Sequence, residues 1–386
     1  MEKKKYNQHG EGSIKYRKDG RWEAVATYNG RRKSFYGKTE REAKKKRKEY
    51  EQKLFRGEKD CQKIRLSLYF ESWLQDTKKG SLKSTSYDRL ERTYSNHIKK
   101  EVGDYQLGNF TTKQGQYLIN QKADLLSYSS TKKIYEALNS CLSYAEKVGD
   151  INRNPMRAVE LPRESNFKKQ TKEIVIPTKG EMQTIFTIAN EVYLNGEFVY
   201  WMPYVCGIML IANTGVRVGE LLALSWDKIN YFKKEMSVDC SLSEIINREE
   251  GAQTKRMLSI TDTKTKNGKR SIPLNAKAIK ILYELQRFYQ DKGINSNYVI
   301  CNSKGRITNY RDFKRSFDRI IKKAGIKAIG LHSLRHYFAS VCISCGISTF
   351  ELSRILGHGK VSVTLDTYGH LMEHQEEKIR RLLEVI

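Results

Sequence analysis

The sequence has no apolar run that approaches the roughly 20 residues a helix needs to cross a bilayer. Its longest apolar stretch, which ends at Ile211, is interrupted by Pro203, Tyr204 and Gly207. The charged start Met1-Glu2-Lys3-Lys4-Lys5 lacks the apolar segment of a secretory signal. We find no lipidation motif and no basic amphipathic anchor. We therefore expect a cytoplasmic protein with no membrane partner.

Cysteines are few and scattered. There are seven, an odd number, which does not suit a disulfide framework and favours a reducing compartment. Cys342 and Cys345 form a lone C-x-x-C that no second pair accompanies, and the i, i+4 pair His332 and His336 lacks the carboxylate of an H-E-x-x-H site. We therefore expect no metal and no other cofactor.

Positive charge is abundant. The 386 residues carry 71 Lys and Arg against 44 Asp and Glu, a formal net charge of +27. Such an excess attracts polyanions, of which nucleic acids are the commonest, although a membrane surface, a ribosome or simple solubility would also suit it. The length allows two or three domains, and 39% hydrophobic residues suit folded domains with real cores.

The first segment, residues 1–57, predicts a small sheet followed by a helix. Runs of β-forming residues at 13–17, 21–28 and 31–36 are separated by Asp19-Gly20 and Asn29-Gly30, both strong hairpin signals. Thr39 and Glu42 form a capping box for a helix to Leu54. With 19 basic and 8 acidic residues, the segment can lay one face of its sheet into a DNA major groove, or remain a solvated hairpin. The candidate DNA contacts are Lys15, Arg17, Arg21, Arg31, Arg32 and Lys33.

Two further domains follow. A linker at 58–65 precedes a helical pattern over 66–162, and a polar linker covers 163–177. Within the helical pattern, Ile134, Leu138 and Leu142 recur at helical spacing, and the pattern ends after Asn154-Pro155. The last domain, 178–386, begins at a capping box of Thr178 and Glu181 and is mainly helical, with strand-like runs between 235 and 273. Its last two predicted helices cover 348–356 and 373–383. The predicted fold class is multidomain and mainly α. It consists of a three-stranded N-terminal sheet plus helix, a helical bundle, and a mixed α/β domain that is mostly α.

The last domain concentrates residues suited to phosphate chemistry. Thr214-Gly215-Val216-Arg217 is followed by Glu220, and Lys264 lies in a predicted turn before Arg270. The run His332-Ser333-Leu334-Arg335 places His and Arg three residues apart, on one helical face. Leu356-Gly357-His358 comes next, and Tyr368 follows ten residues after that histidine.

These motifs, in this order and over the whole chain, resemble the tyrosine recombinase (phage-type integrase) family, and most closely the integrases of conjugative transposons. The resemblance implies that 1–57 is an arm-type DNA-binding domain, that 66–162 is a core-binding domain and that 178–386 is catalytic. It also implies integration and excision of a mobile element through a 3′-phosphotyrosyl intermediate and a Holliday junction. The expected partners are double-stranded DNA with core and arm sites, three further copies of the chain, and the excisionase and DNA-bending protein that members of the family often need. The expected setting is a bacterial cytoplasm, where the bound protein is associated with the nucleoid.

The catalytic roles follow the family pattern, and physical chemistry supports them. Attack on a phosphodiester places more negative charge on the non-bridging oxygens, which fixed cationic donors stabilise. Arg217 and Arg335 are suited to bidentate contacts with those oxygens, and His358 to a further hydrogen bond. The resemblance assigns Tyr368 as nucleophile and His332 as its base. We expect Lys264 to be the general acid for the leaving 5′-oxygen, with Lys266 as competitor, and Glu220 to orient Arg217.

Purely structural interpretations of these residues stay open at this point. Arg217 and Glu220 suit a structural ion pair, Lys264 a solvated lysine, and His336 and His370 packing or hydrogen-bonding histidines. At the level of function, the alternatives are a chromosome or plasmid resolvase of the same family, a type IB topoisomerase, and a catalytically inert DNA-binding regulator. The tail 376–386 has one apolar face that could pack in its own protomer or on a neighbour.

Overall fold

A computed structural model of the chain describes residues 13–28, 31–55, 63–169, 175–194, 201–262, 268–369 and 384. The chain forms two compact units, Met1–Thr171 and Lys172–Ile386. The second predicted linker, at 163–177, spans the division between them. The further division of the first unit at 58–65 stays a prediction.

The first unit begins with an antiparallel sheet of order β1-β2-β3, formed by Ile14–Tyr16, Trp22–Tyr28 and Arg31–Gly37, and continues into helix α1, Glu40–Phe55. Gly20 takes the left-handed conformation of the first turn, with φ of 80°. The predicted helix cap is present, because the Glu42 amide donates to Thr39 Oγ1 at 3.2 Å. Helix α1 covers one face of the sheet, where the rings of Phe35 and Tyr50 pack 5.0 Å apart.

The rest of this unit is a helical bundle without a strand among its described residues. Its α-helices are α2 Leu66–Trp73, α3 Ser84–Thr93, α4 Lys99–Val102, α5 Thr112–Leu125 and α6 Tyr128–Lys147. Helices α2 and α3 each continue into a π-helical turn, and short 3₁₀ turns follow α4 and α6. As the spacing predicted, Ile134, Leu138 and Leu142 of α6 are buried in the bundle core.

The second unit is mainly helical with two small sheets. Its helices are α7 Lys179–Leu194, α8 Met202–Thr214, α9 Val218–Leu222, α10 Ala276–Lys292, α11 Tyr310–Lys323, α12 His332–Ser344, α13 Thr349–Leu356 and α14 Val361–Tyr368. Strands β4 Ile229–Asn230, β5 Glu235–Val238 and β8 Arg270–Pro273 form one antiparallel sheet, and β6 Cys240–Ile246 pairs with β7 Arg256–Asp262.

The predicted fold class is confirmed: a small N-terminal sheet with a helix, a helical bundle and a mostly α mixed domain. One element differs. The sequence pattern predicts no helix between Leu356 and residue 373, whereas Val361–Tyr368 forms α14. The helix predicted over 373–383 lies outside the described residues. Among the helices described, none combines the length and apolar character needed to cross a membrane.

Candidate active site

Arg217 lies at the junction of two helices, and the glycine before it determines the geometry. Gly215 ends α8 in the left-handed conformation, with φ of 66°, and a Cβ there would lie 2.4 Å from the Phe338 ring. Arg217 then caps α9, and its side chain is 37% exposed. Its Nη1 donates to Glu220 Oε1 at 2.8 Å, and its amide donates to Oε2 of the same carboxylate at 3.0 Å. The T-G-x-R motif therefore presents an arginine that is both fixed and accessible.

Glu220 holds two arginines. Besides Arg217, it accepts two hydrogen bonds from Arg270, Nη2 to Oε2 at 2.8 Å and Nη1 to Oε1 at 3.2 Å. Burial acts to raise the pKa of Glu220, but Arg270 and Arg217 outweigh it and the pKa is lowered. The carboxylate is therefore ionised at neutral pH. Sequence reasoning missed Arg270, whose partner lies 50 positions away; its only local signal is a charged residue at the start of a strand.

The end of helix α13 brings the arginines together. Its last carbonyls lack partners within the helix, and three successive ones accept from three different arginines. Ile355 O accepts from Arg270 Nε at 2.7 Å, Leu356 O from Arg335 Nη2 at 2.7 Å, and Gly357 O from Arg217 Nη2 at 3.1 Å. Since the carboxyl end of a helix carries partial negative charge, this arrangement offsets part of the repulsion among the guanidinium groups.

Gly357 makes this arrangement possible. It takes the left-handed conformation, with φ of 67°, and a Cβ would lie 2.9 to 3.0 Å from the Arg270 guanidinium. Any side chain here would displace that arginine. The glycine of the L-G-H motif is thus required both by the backbone and by the arginine packed against it.

Arg335 is the most deeply buried of the three arginines, at 1% exposure. Its Nη1 donates to Gly215 O at 2.8 Å, while its Nε is buried with no hydrogen-bond partner among the described residues. Burial and the nearby Arg217 lower the pKa of Arg335 to about 9, so the guanidinium remains charged at neutral pH. An unsatisfied buried donor on a charged group is costly.

His358 lies between Arg335 and helix α14. Its Nε2 is 3.0 Å from Arg335 Nη2, and its Nδ1 is 2.8 Å from Thr364 Oγ1. Burial, together with Arg335, Arg217 and Arg270, lowers the pKa of His358 to about 4. The ring is therefore neutral at neutral pH. An open, basic groove of about 790 Å³ runs beside it, and its lining includes Lys269, Arg354 and Lys360.

Tyr368 ends α14 with its phenol buried. It is 1% exposed, and it packs against Ala339, Cys342 and Leu356 in a small core between α12 and α13. Its hydroxyl is 2.8 Å from His336 Nδ1. Burial raises the pKa of Tyr368, against the opposing effect of Arg335 and Arg217, so the phenol is protonated here. A nucleophile in this position must leave its pocket before it can reach DNA.

His332 and His336 occupy successive turns of α12, with ring centroids 4.7 Å apart in a T-shaped arrangement. Partial desolvation, followed by the charges of His336, Arg335 and Arg217, lowers the pKa of His332 to about 4. Its imidazole is thus neutral at neutral pH and can accept a proton. The residue that contacts the phenol in this structure is His336, which sequence reasoning identified only as a packing or hydrogen-bonding histidine.

Lys264 and its competitor Lys266 lie outside the described residues, as do His370, His374 and the tail 376–386 apart from residue 384. The two-stranded sheet that precedes Lys264 packs against helices α9 and α11. A Cβ on Gly219 would lie 2.6 Å from Ser241 Oγ, so β6 packs directly on α9. Glu244 of the same strand accepts two hydrogen bonds from Arg311 of α11, both at 3.1 Å. Strand β7 ends at Asp262, directly before the predicted lysine turn.

The basic residues of the N-terminal sheet do not all share a face. Lys15 and Arg17 pair with Glu23 at 3.3 and 3.1 Å, and the guanidinium groups of Arg17 and Arg21 lie over the Tyr36 ring, 5.5 and 5.4 Å from its centroid.

Register places Tyr36 opposite Glu23, and side chains alternate along a strand, so Arg32 shares the face of Tyr36. Lys33 points to the other face, where its Nζ lies 4.3 Å from the Tyr50 ring of α1. The structure does not describe the side chain of Arg31.

Within the described part of the chain, no three His, Cys, Asp or Glu side chains form a group that could hold a metal ion. Cys342 is buried against the core that contains Tyr368, and Cys345 is exposed. The pair therefore has no further protein ligands nearby among the described residues.

Two models of known protein domains match parts of this chain. Residues 175–375, just over half of the chain, match the phage integrase family, and residues 66–123 match the SAM-like N-terminal domain of phage integrases. A tyrosine recombinase XerC-like protein of Caldanaerobacter subterraneus subsp. tengcongensis is 26% identical over 363 residues, which cover 89% of each chain.

Two solved structures share the fold. The Tn1549 transposon integrase in complex with transposon right end DNA aligns with a TM-score of 0.67 and 19% identity, over 83% of this chain and 100% of that one. A lambda integrase tetramer bound to a Holliday junction aligns with a TM-score of 0.59 and 18% identity, over 90% and 96%. The fold class predicted from the sequence is confirmed by these likenesses.

Proposed function

Because this chain belongs to the phage integrase family, we propose that it is a tyrosine-type site-specific DNA recombinase that integrates and excises a mobile element. The observation that carries the proposal is the convergence of Arg217, Arg335 and His358 on one helix end, with Tyr368 on the next helix. A resolvase of the same family would share this site; the basic N-terminal sheet favours the integrase.

The chemistry follows from the donors available. A phosphate seated beside the end of α13 would receive hydrogen bonds from Arg217, whose side chain is partly exposed, and from Arg335 Nη2, which lies beside His358. These cationic donors are preorganised by backbone carbonyls and Glu220, so they need little rearrangement when charge develops on the non-bridging oxygens. Glu220 and Arg270 act on Arg217 and on the helix end, not on the phosphate.

The nucleophilic step requires Tyr368 to leave His336 and approach the phosphorus. We assign the phenol proton to His332, which is solvent-accessible and neutral, so it can meet a phenol that has moved out of its pocket. In this assignment, His336 holds the Tyr368 hydroxyl by a hydrogen bond before cleavage and does not act as the base. The tyrosyl oxygen forms the new P–O bond, the 5′-oxygen leaves, and Lys264 supplies its proton. No metal or nucleotide enters this sequence of steps.

DNA is the proposed partner at two places. The catalytic pocket and the helical bundle would each contact core-site DNA, and the sheet face that carries Lys15, Arg17, Arg21 and Arg32 would contact an arm site. Recombination between two duplexes needs four copies of the chain, and the lambda integrase structure is such a tetramer on a Holliday junction. An excisionase and a DNA-bending protein belong to the proposal as accessory partners, with the nucleoid of a bacterial cytoplasm as the setting.

The test is recombination of a plasmid that carries the joined ends of the protein's own element with a second duplex that carries the target, in buffer with EDTA. We expect recombinant joints from the wild type, none from Tyr368→Phe, and normal yield from the matched control Tyr337→Phe. If Tyr368→Phe recombines as well as the wild type, the chain is not a recombinase of this mechanism. Binding without joints in the wild type would favour an inert regulator.

A further inference from the structure

Three side chains, Arg335, His358 and Thr364, are joined one to the next by hydrogen-bond distances. His358 lies in the loop between α13 and α14, and Thr364 lies on α14, one turn before Tyr368. The two hydrogen-bond distances are 3.0 Å from Arg335 Nη2 to His358 Nε2 and 2.8 Å from His358 Nδ1 to Thr364 Oγ1. Thr364 is completely buried, at 0% exposure. Water cannot replace its hydroxyl.

The proton positions in this arrangement follow from the groups involved. A guanidinium only donates, so His358 Nε2 must be the acceptor and carries no proton. The ring is neutral, as its lowered pKa indicates. Its single proton is therefore on Nδ1 and is donated to Thr364 Oγ1.

A bound phosphate reverses this requirement. Phosphate oxygens only accept, so when Arg335 Nη2 turns to an oxygen, the neighbouring His358 Nε2 must carry a proton to donate to it as well. A neutral ring that carries a proton on Nε2 has none on Nδ1, which then needs a donor. The group within hydrogen-bond distance of Nδ1 is the Thr364 hydroxyl, which can rotate from acceptor to donor.

We propose that Thr364 is a positioning residue that allows His358 to exchange tautomers, so that the ring pairs with Arg335 at rest and with the scissile phosphate during cleavage. The inference rests on the proposed function, since it assumes that the site binds a phosphodiester. The exchange is balanced: Nδ1 releases one proton to solvent and Nε2 takes one up. Because Thr364 and Tyr368 lie one turn apart on α14, the helix that carries the nucleophile also sets the state of His358.

The test compares hydroxyl removal with hydroxyl retention in the full-length protein. Thr364→Val keeps the shape and removes the hydroxyl, and Thr364→Ser keeps the hydroxyl. Thr367→Val is the matched control, because Thr367 is on the same helix and its hydroxyl donates to Val363 O at 2.7 Å, away from His358. Formation of the covalent adduct on a nicked duplex with the core site should fall by about tenfold or more in Thr364→Val, by less than about threefold in Thr364→Ser, and not in Thr367→Val.

A second readout separates this role from a structural one. Histidines labelled with ¹⁵N in the full chain report which ring nitrogen carries the proton, and His358→Gln identifies the signal. We expect the Nδ1–H form in the free protein and the Nε2–H form after addition of inorganic phosphate or the duplex. In Thr364→Val we expect no such exchange. If the valine variant does not fold, Thr364→Ala replaces it, and we expect no tautomer exchange in that variant either.

Two results would overturn the inference. One is wild-type cleavage with normal tautomer exchange in Thr364→Val, and the other is an equal loss in Thr364→Ser and Thr364→Val. If the wild type forms no adduct at all, the proposed function fails instead. The tautomer measured with inorganic phosphate then still decides the role of Thr364.

Discussion

Two groups of basic side chains in this molecule have opposite surroundings. On the N-terminal sheet, the side chains of Arg17 and Arg21 are 41% and 57% exposed and pair with Asp19 at the surface. In the second unit, the Arg270 side chain is 6% exposed and Arg335 as a residue only 1%.

Both groups contribute equally, residue for residue, to the net charge of +27. The exposed group is screened by salt and water, whereas the buried group is held by carbonyls and one carboxylate. Charge alone therefore indicates a polyanionic partner, but burial and hydrogen bonding distinguish a chemical site from a binding surface.

The largest effect that follows from this contrast is on Arg335. We expect Arg335→Lys to slow covalent adduct formation by roughly 1,000-fold, because a lysine cannot hold Gly215 and Leu356 and also reach a phosphate. The rate on a nicked duplex measures this, with duplex affinity as the control. Cleavage at the wild-type rate would mean that the buried cluster is structural only.

Glu220 should matter for stability. Glu220→Gln leaves Arg270 buried without its anion, and we expect a loss of about 3 kcal/mol in the free energy of unfolding at pH 7. The folded pKa of Glu220 lies below its usual 4.5, so its contribution is complete above that pH and is lost as the pH falls toward the folded value. Denaturant unfolding at pH 7 and pH 4 measures this. A loss that is constant with pH would contradict the ionic role.

The two histidines of α12 should respond differently. We expect His332→Ala to slow cleavage by about 100-fold as the base is lost. His336→Leu removes the partner of a buried phenol and destabilises its resting position, so cleavage should be as fast as in the wild type or faster. Single-turnover cleavage rates of the two variants on the nicked duplex test this difference. The reverse pattern would transfer the base role to His336.

The smallest effect is expected on the exposed sheet. Arg32→Gln should weaken binding to arm-site DNA and reduce the slope of log affinity against log salt by about 1, as one phosphate contact is lost. Its neighbour Lys33 points to the helix side, so Lys33→Gln should leave that slope unchanged. Titrations at several salt concentrations measure both. Equal slopes for the two variants would mean that the sheet does not bind DNA by the face of Tyr36.

Local signals predicted much of the fold. The capping boxes at Thr39 and Thr178 and the apolar spacing of α6 are each visible within a few residues, and the structure contains all three. Helix α14 was missed because Val361, Val363 and Thr364 are β-branched and favour strands. It forms because a helix buries both Thr364 and Tyr368 on one face.

Within the candidate site, motif order indicated Arg217, Arg335, His358 and Tyr368, and the structure brings them to one region. Motif order could not indicate Arg270, because the pairing of Arg270 with Glu220 depends on how β8 packs beside α9 and α13. Nor could it indicate that the phenol contacts His336. Such contacts join residues distant in sequence, and they depend on tertiary packing rather than on any local pattern.

The most direct measurement is the identity of the amino acid joined to DNA. The covalent adduct from a nicked duplex with the core site is digested with protease, and mass spectrometry locates the nucleotide on its peptide. The account predicts a 3′-phosphate on Tyr368 and a free 5′-hydroxyl on the departing strand. A nucleotide on any other residue, or a 5′-phosphate linkage, would contradict it.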